Sequence, residues 1–64
     1  MSMGKALAVL TRDPEDRIRR EIAELDSRAE CQTWAAVEQK EQGRTWVFEA
    51  LHERAVEVDG EFKA

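Results

Sequence analysis

The strongest constraint on the fold of this chain is an amphipathic pattern that runs through residues 13–42. Apolar or small residues recur there at alternating spacings of four and three, which places them on one stripe of a helix. Asp13 is a suitable N-cap, Pro14 suits the first helical position, and Gly43 is a natural left-handed stop. We therefore predict one long helix over about residues 14–42. The stripe consists of Ile18, Ile22, Leu25, Ala29, Gln32 and Ala36.

The second half of this predicted helix is less regular than the first. The apolar stripe weakens after Ala29, and Trp34 lies roughly 160° round the helix from Ile18 at about 100° per residue. Either the helix kinks within residues 27–33, or Trp34 packs against something other than the neighbouring helix. The pattern is compatible with both.

A second helix is predicted over about residues 44–58. Gly60 would end it in a left-handed cap, with Phe62 folding back on the last turn. The alternative is a small hairpin over residues 56–62, because Asp-Gly is a preferred two-residue turn. Strands of three residues are marginal, which favours the helix. Its buried face spans an arc of about 100° and contains Val47, Phe48, Leu51, Ala55 and Val58.

The N-terminal segment before Arg12 is short and apolar, and it could be either a helix or a buried strand. Its apolar residues are Ala6, Leu7, Val9 and Leu10. Pro14 then interrupts it, because the residue before a proline is disfavoured in the helical region.

Helix lengths raise the question of what covers the first half of the stripe. A helix over residues 14–42 is about 43 Å long, and one over residues 44–58 is about 22 Å. Folded back at Gly43, the second helix leaves Ile18, Ile22 and Leu25 out of reach. The N-terminal segment, a second copy or a partner protein must cover these side chains. We predict an all-α helical hairpin that forms a homodimeric bundle and uses this stripe as its dimer or packing surface.

Composition excludes several classes of protein. The chain has 64 residues, enough for one small domain, and a single cysteine, so it forms no internal disulfide. No apolar run approaches the roughly 18 residues of a membrane span, and the N-terminal segment is too weak for a signal peptide. A cytoplasmic protein is expected. The net charge of −4 argues against nucleic acid as the partner. The basic residues Arg12, Arg17, Arg19 and Arg20 are close in sequence but point in different directions, each with a carboxylate nearby.

No residue pattern in the chain is typical of catalysis, metal binding or nucleotide binding. Cys31 and His52 lie on different predicted helices, and we expect two ordinary side chains. Helix capping explains the cluster of Asp13, Glu15 and Asp16. We therefore expect no enzyme activity, no catalytic or metal-ligating residues and no cofactor.

Protein binding is the function that the remaining residues favour. A tryptophan on a polar helix face is typical of an interface anchor, and Trp34 and Trp46 are the two candidates. Glu49, Glu53 and Glu57 form a carboxylate row beside Trp46 that would meet a basic surface on a partner. In the alternative interpretation, both tryptophans complete a small core and the glutamates form a solvated face.

Shape and composition, with no shared motif, resemble those of small regulators and inhibitors encoded by bacteriophages and plasmids. Anti-activators, anti-CRISPR proteins and RNA-binding four-helix dimers belong to this group. The resemblance implies a non-enzymatic regulator or inhibitor that binds another protein stoichiometrically, and it assigns no residue roles. The alternative is a structural or assembly component of a larger complex, such as a phage morphogenesis protein.

Overall fold

A computed structural model describes residues 3–63 of the chain and the side chains of residues 4–59. These residues form four helices and no strand. The prediction of an all-α fold is confirmed, whereas the prediction of a two-helix hairpin is wrong. The helices are α1 (Met3–Arg12), α2 (Glu15–Ala23), α3 (Arg28–Glu41) and α4 (Thr45–Lys63).

The predicted long helix is interrupted between α2 and α3. Ser27 has an extended backbone, and its side-chain oxygen accepts a hydrogen bond of 3.1 Å from the backbone N–H of Glu30. In return, a Glu30 carboxylate oxygen accepts a hydrogen bond of 3.3 Å from the backbone N–H of Asp26. This reciprocal pattern is close to a capping box, in which two helix-end donors are satisfied locally. A new helix therefore begins at Arg28. A kink within residues 27–33 was one of the two alternatives, and the structure instead has a complete break over residues 24–27.

The helix boundaries at the two ends of the chain also differ from the prediction. The N-terminal segment is a helix, and Pro14, rather than Asp13, is the N-cap residue of α2. At the other end α4 continues through Gly60 to Lys63, so neither the hairpin over residues 56–62 nor a cap at Gly60 forms. The predicted contact of Phe62 lies outside the described side chains.

Gly43 follows the end of α3 in a left-handed conformation, as predicted. Its φ of 63° is left-handed, and its N–H donates to the carbonyl of Glu38 at 2.8 Å. The chain then reverses into α4, which packs along α3.

The core is shared by all four helices. α3 packs against α1 and α4, and α2 packs against α4 and α1. Ile18, Ile22 and Leu25 are at most 8% exposed within a single chain. A second copy is therefore not needed to cover this stripe, and the original reason for predicting a homodimer does not hold. The core cluster consists of Ala6, Val9, Leu10, Ile18, Ile22, Leu25, Cys31, Trp34, Val37, Val47 and Leu51.

Candidate protein-binding surface

The predicted carboxylate row lies on the exposed side of α4. Glu49, Glu53 and Glu57 are all exposed. Glu57 accepts a hydrogen bond of 3.2 Å from Arg54 on the same helix. Within the described part of the chain, Glu49 and Glu53 form no ion pair. Two exposed carboxylates without an ion-pair partner among the described side chains therefore lie one helical turn apart, where they repel each other.

Phe48 lies beside these two carboxylates and is half-buried, although we predicted it within the buried face of the second helix. Together with Glu49, His52 and Glu53 it lines a shallow depression of about 310 Å³. We refer to these four residues as the α4 face. A partly exposed aromatic ring bordered by carboxylates is a suitable contact for an apolar group that carries a nearby positive charge.

Trp46 is half-buried and packs against the core cluster. The guanidinium carbons of Arg19 and Arg44 lie 4.8 Å and 5.5 Å from the centre of its ring, within the range of cation–π attraction. Arg19 is also bonded to Glu15 at 2.8 Å. Trp46 is therefore held by its own chain, and a partner would meet it as a fixed part of the surface.

A buried ion pair fixes the position of Arg44. Glu38 is fully buried, and its carboxylate accepts hydrogen bonds of 2.8 Å and 3.0 Å from the Arg44 guanidinium. The same guanidinium donates to the carbonyl of Leu10 at 2.7 Å. Leu10 lies in the last turn of α1, where carbonyls lack partners within the helix, so Arg44 joins α1, α3 and the start of α4.

This ion pair changes the acidity of both groups. Hydrogen bonding from Arg44 holds the pKa of Glu38 below its ordinary value and outweighs burial, which acts in the opposite direction. The same contacts raise the pKa of Arg44. Both side chains are therefore charged in the folded protein at neutral pH.

A second depression, of about 170 Å³, runs between α2 and α4 beside the α4 face. Ala23 and Ala50 contribute small apolar surfaces to it, and Arg19 and Glu53 contribute opposite charges. Glu53 borders both depressions. It is therefore the carboxylate best placed to influence anything that binds on this side of α4.

Trp34 does not belong to this surface. It is 2% exposed and lies in the core cluster, because the break before α3 turns this helix relative to α2. A partner cannot reach Trp34 in this fold, so the prediction of a binding role for it is wrong. The binding roles of Trp46, Glu49, Glu53 and Glu57 stay predictions.

The fold brings Cys31 and His52 to the same cleft, between α3 and α4. Cys31 is buried, and burial raises the pKa of its thiol, an effect that the nearby Arg54 only partly opposes. A buried neutral thiol is a weak nucleophile. This geometry does not favour the activated pair that covalent catalysis requires.

The part of the chain that the structure describes contains neither a membrane-spanning helix nor a candidate metal site. None of its helices is both long and apolar enough to cross a membrane. No group of three or more histidine, cysteine, aspartate or glutamate side chains is close enough to hold a metal ion.

Sequence comparison relates the chain to a known family. Residues 4–61 match the family described as "Domain of unknown function (DUF8129)". The chain belongs to this family. The match begins in α1 and ends in α4, so all four helices belong to the DUF8129 unit. No curated protein and no solved structure matches the chain.

For this DUF8129 domain, the sequence analysis missed the position of the break before α3, the ion pair of Arg44 and the burial of Glu38, although the first two have a local signal. The break before α3 coincides with a Ser-x-x-Glu motif at Ser27, which is typical of a helix start. An arginine directly after the left-handed Gly43 is well placed to reach back to the preceding helix. The complete burial of Glu38 has no local signal, because it depends on the position of α1.

Proposed function

We propose that this protein is a non-enzymatic binding protein that acts stoichiometrically, using its α4 face to occupy a basic surface on another protein. The observation that carries the proposal is the exposure of Glu49 and Glu53, which form no ion pair among the described side chains, beside the half-buried Phe48. This combination resembles the apolar centre and polar rim of a protein interface.

The two kinds of side chain would contribute in different ways. Phe48 would lose water from its ring on binding, and buried aromatic anchors account for much of the affinity of protein interfaces. Glu49 and Glu53 would attract a basic partner over a distance and raise the association rate. The net charge of −4 acts in the same direction. Trp46 would extend the contact as a rigid neighbour.

Capture of a partner by variants of equal charge tests this proposal. The tagged protein is used to capture partners from its native host, in parallel with Glu53→Lys and the control Glu24→Lys. Glu24 is also exposed, but it lies at the end of α2 and borders none of the depressions described above. A specific partner should be retained by the parent and by Glu24→Lys and lost or weakened with Glu53→Lys.

The association and dissociation rates of the captured partner then distinguish a contact at the α4 face from an effect of overall charge. We expect Glu53→Lys to reduce the association rate and its dependence on salt, and Phe48→Ala to raise the dissociation rate. Equal loss with Glu24→Lys and Glu53→Lys would contradict the proposal, because only overall charge would then matter.

The alternative function is a structural component of a larger assembly. A second groove, between α1 and α3, favours it, since a protein with two contact surfaces can bridge its neighbours. Recovery of the protein in one large complex of fixed stoichiometry would support this alternative, whereas a one-to-one complex supports a regulator or inhibitor. The predicted homodimer also belongs to the proposal, and a second copy must use a surface other than the buried α2 stripe.

A further inference from the structure

An apolar groove between α1 and α3 is not used by the proposed α4 contact. It has a volume of about 350 Å³ and is lined by residues of both helices. Its charged residues are adjacent in sequence, and the others are apolar or small. We refer to this surface as the α1–α3 face, and it consists of Gly4, Leu7, Ala36, Val37, Lys40 and Glu41.

This face contains both a projection and an opening. Leu7 is 43% exposed, which is unusual for the large apolar side chains of this domain. Apart from its chain neighbours and its own helix backbone, a Cβ atom added at Gly4 would meet none of the described residues within 4 Å, so the position beside Leu7 is open to them. Ala36, on the opposite side of the groove, is also small.

The Thr11 hydroxyl already has a hydrogen-bond partner within α1. The Thr11 hydroxyl, one turn beyond Leu7, donates to the Leu7 carbonyl at 2.6 Å. Its hydrogen is therefore used within α1, and a docking surface does not have to accept it.

Charge adds a second kind of complementarity. Lys40 and Glu41 are exposed at the edge of the groove, and neither forms an ion pair among the described side chains. The face thus carries one free positive and one free negative group side by side. A partner of a single charge sign would repel one of them.

We propose that a second copy of this chain docks on the α1–α3 face, about a two-fold axis. In a two-fold interface the same patch lies on both sides, so it must contain both halves of every complementary pair. This face meets that requirement: Leu7 of one copy would enter the opening at Gly4 of the other, and Lys40 would face the second copy's Glu41. The α4 face does not meet it, because its carboxylates would repel their own copies.

The first test compares Leu7→Glu with Val56→Glu in sedimentation equilibrium. Val56 is 56% exposed on α4 and is therefore a matched control away from the groove. We expect the parent to be a dimer, Leu7→Glu to raise the dimer dissociation constant about tenfold or more, and Val56→Glu to have little effect. A monomeric parent, or equal weakening by both variants, would overturn the proposal.

The second test uses charge exchange, which leaves the core untouched. Lys40→Glu and Glu41→Lys should each weaken the dimer, because like charges then meet across the axis. The double variant Lys40→Glu, Glu41→Lys should recover the parental dissociation constant. Failure of this recovery would show that the two residues do not face each other, even if Leu7→Glu were to misfold.

The dimer and the proposed partner contact are separable. Leu7→Glu should still capture a basic partner through the α4 face, and Glu53→Lys should still dimerise. A parent protein that captures a basic partner but stays monomeric would contradict the dimer through the α1–α3 face and leave the α4 contact standing. A parent protein that dimerises but captures no basic partner would contradict the α4 contact and leave the dimer standing.

Discussion

Glu38 differs from the other charged residues of this chain in its surroundings. It is fully buried, and its carboxylate is satisfied by the guanidinium and by the backbone N–H of Arg44, the latter at 2.8 Å. Its backbone carbonyl also accepts hydrogen bonds from Gln42 and Gly43. One residue therefore organises the reversal between α3 and α4, and Arg44 extends this organisation to α1 through Leu10.

Replacement of Glu38 by glutamine should destabilise the domain. Removing one partner of a buried ion pair costs about 3–5 kcal/mol, and the lower end applies because 25% of the Arg44 side chain is exposed. Chemical denaturation at neutral pH measures the loss. Glu24→Gln, at an exposed position, is the control and should leave the free energy of unfolding nearly unchanged.

The pH dependence of stability should identify the same group. The pKa of Glu38 is lowered on folding, so its contribution is present above the pKa of a glutamate in the unfolded chain. That contribution is lost as the pH falls through the lower pKa of the folded state. The difference in stability between parent and Glu38→Gln should therefore shrink on acidification. A difference that is the same at neutral and low pH would contradict this assignment.

At the scale of helices, local signals decide where each element begins and ends. The hydrogen bond from the Glu30 N–H to Ser27 starts α3, and the left-handed Gly43 ends it. From α4, Arg54 donates to the carbonyl of Leu25 at 2.6 Å and so joins α4 to the segment between α2 and α3. The helices are thus short, and local hydrogen bonds define both ends of α3.

Substitution of Gly43 tests the reversal between α3 and α4. Gly43→Val should cost about 1–2 kcal/mol, because a left-handed conformation is unfavourable for a residue with a Cβ atom and most of all for a branched one. Gly43→Asn should cost less, since asparagine tolerates this conformation. A new Cβ would meet no atom within 4 Å, so crowding does not contribute. Equal thermal melting of the two variants would mean that the backbone conformation is not the cause.

For the whole molecule, the arrangement of four helices explains how one small chain buries its apolar stripe. α1 and α4 both contact α2, and together they cover side chains that a two-helix hairpin would have left in water. The two surfaces on the outside of this bundle, the α4 face and the α1–α3 face, differ in charge and polarity. The α4 face is acidic with a half-buried aromatic ring, whereas the α1–α3 face is mostly apolar.

Ile22→Asp should therefore unfold the single chain rather than only separate two copies. Ile22 is 2% exposed, and a buried unpaired charge costs several kcal/mol, a large part of the stability of so small a domain. Ala23→Asp, one residue further along α2 but exposed, is the control and should remain folded. Circular dichroism at low concentration measures helix content. A folded Ile22→Asp with altered mass would instead indicate that this stripe is a contact between copies.

The sequence by itself determined the helical class, the left-handed stop at Gly43 and the exposure of the α4 glutamates. These features depend on the spacing of apolar residues and on local backbone preferences, both of which act within a few residues. Only the tertiary structure decided that Trp34 is buried, that Phe48 is half-exposed and that Glu38 is paired inside the domain. Those outcomes depend on how α1 and the break at Ser27 orient α3, because burial is a property of packing between distant segments.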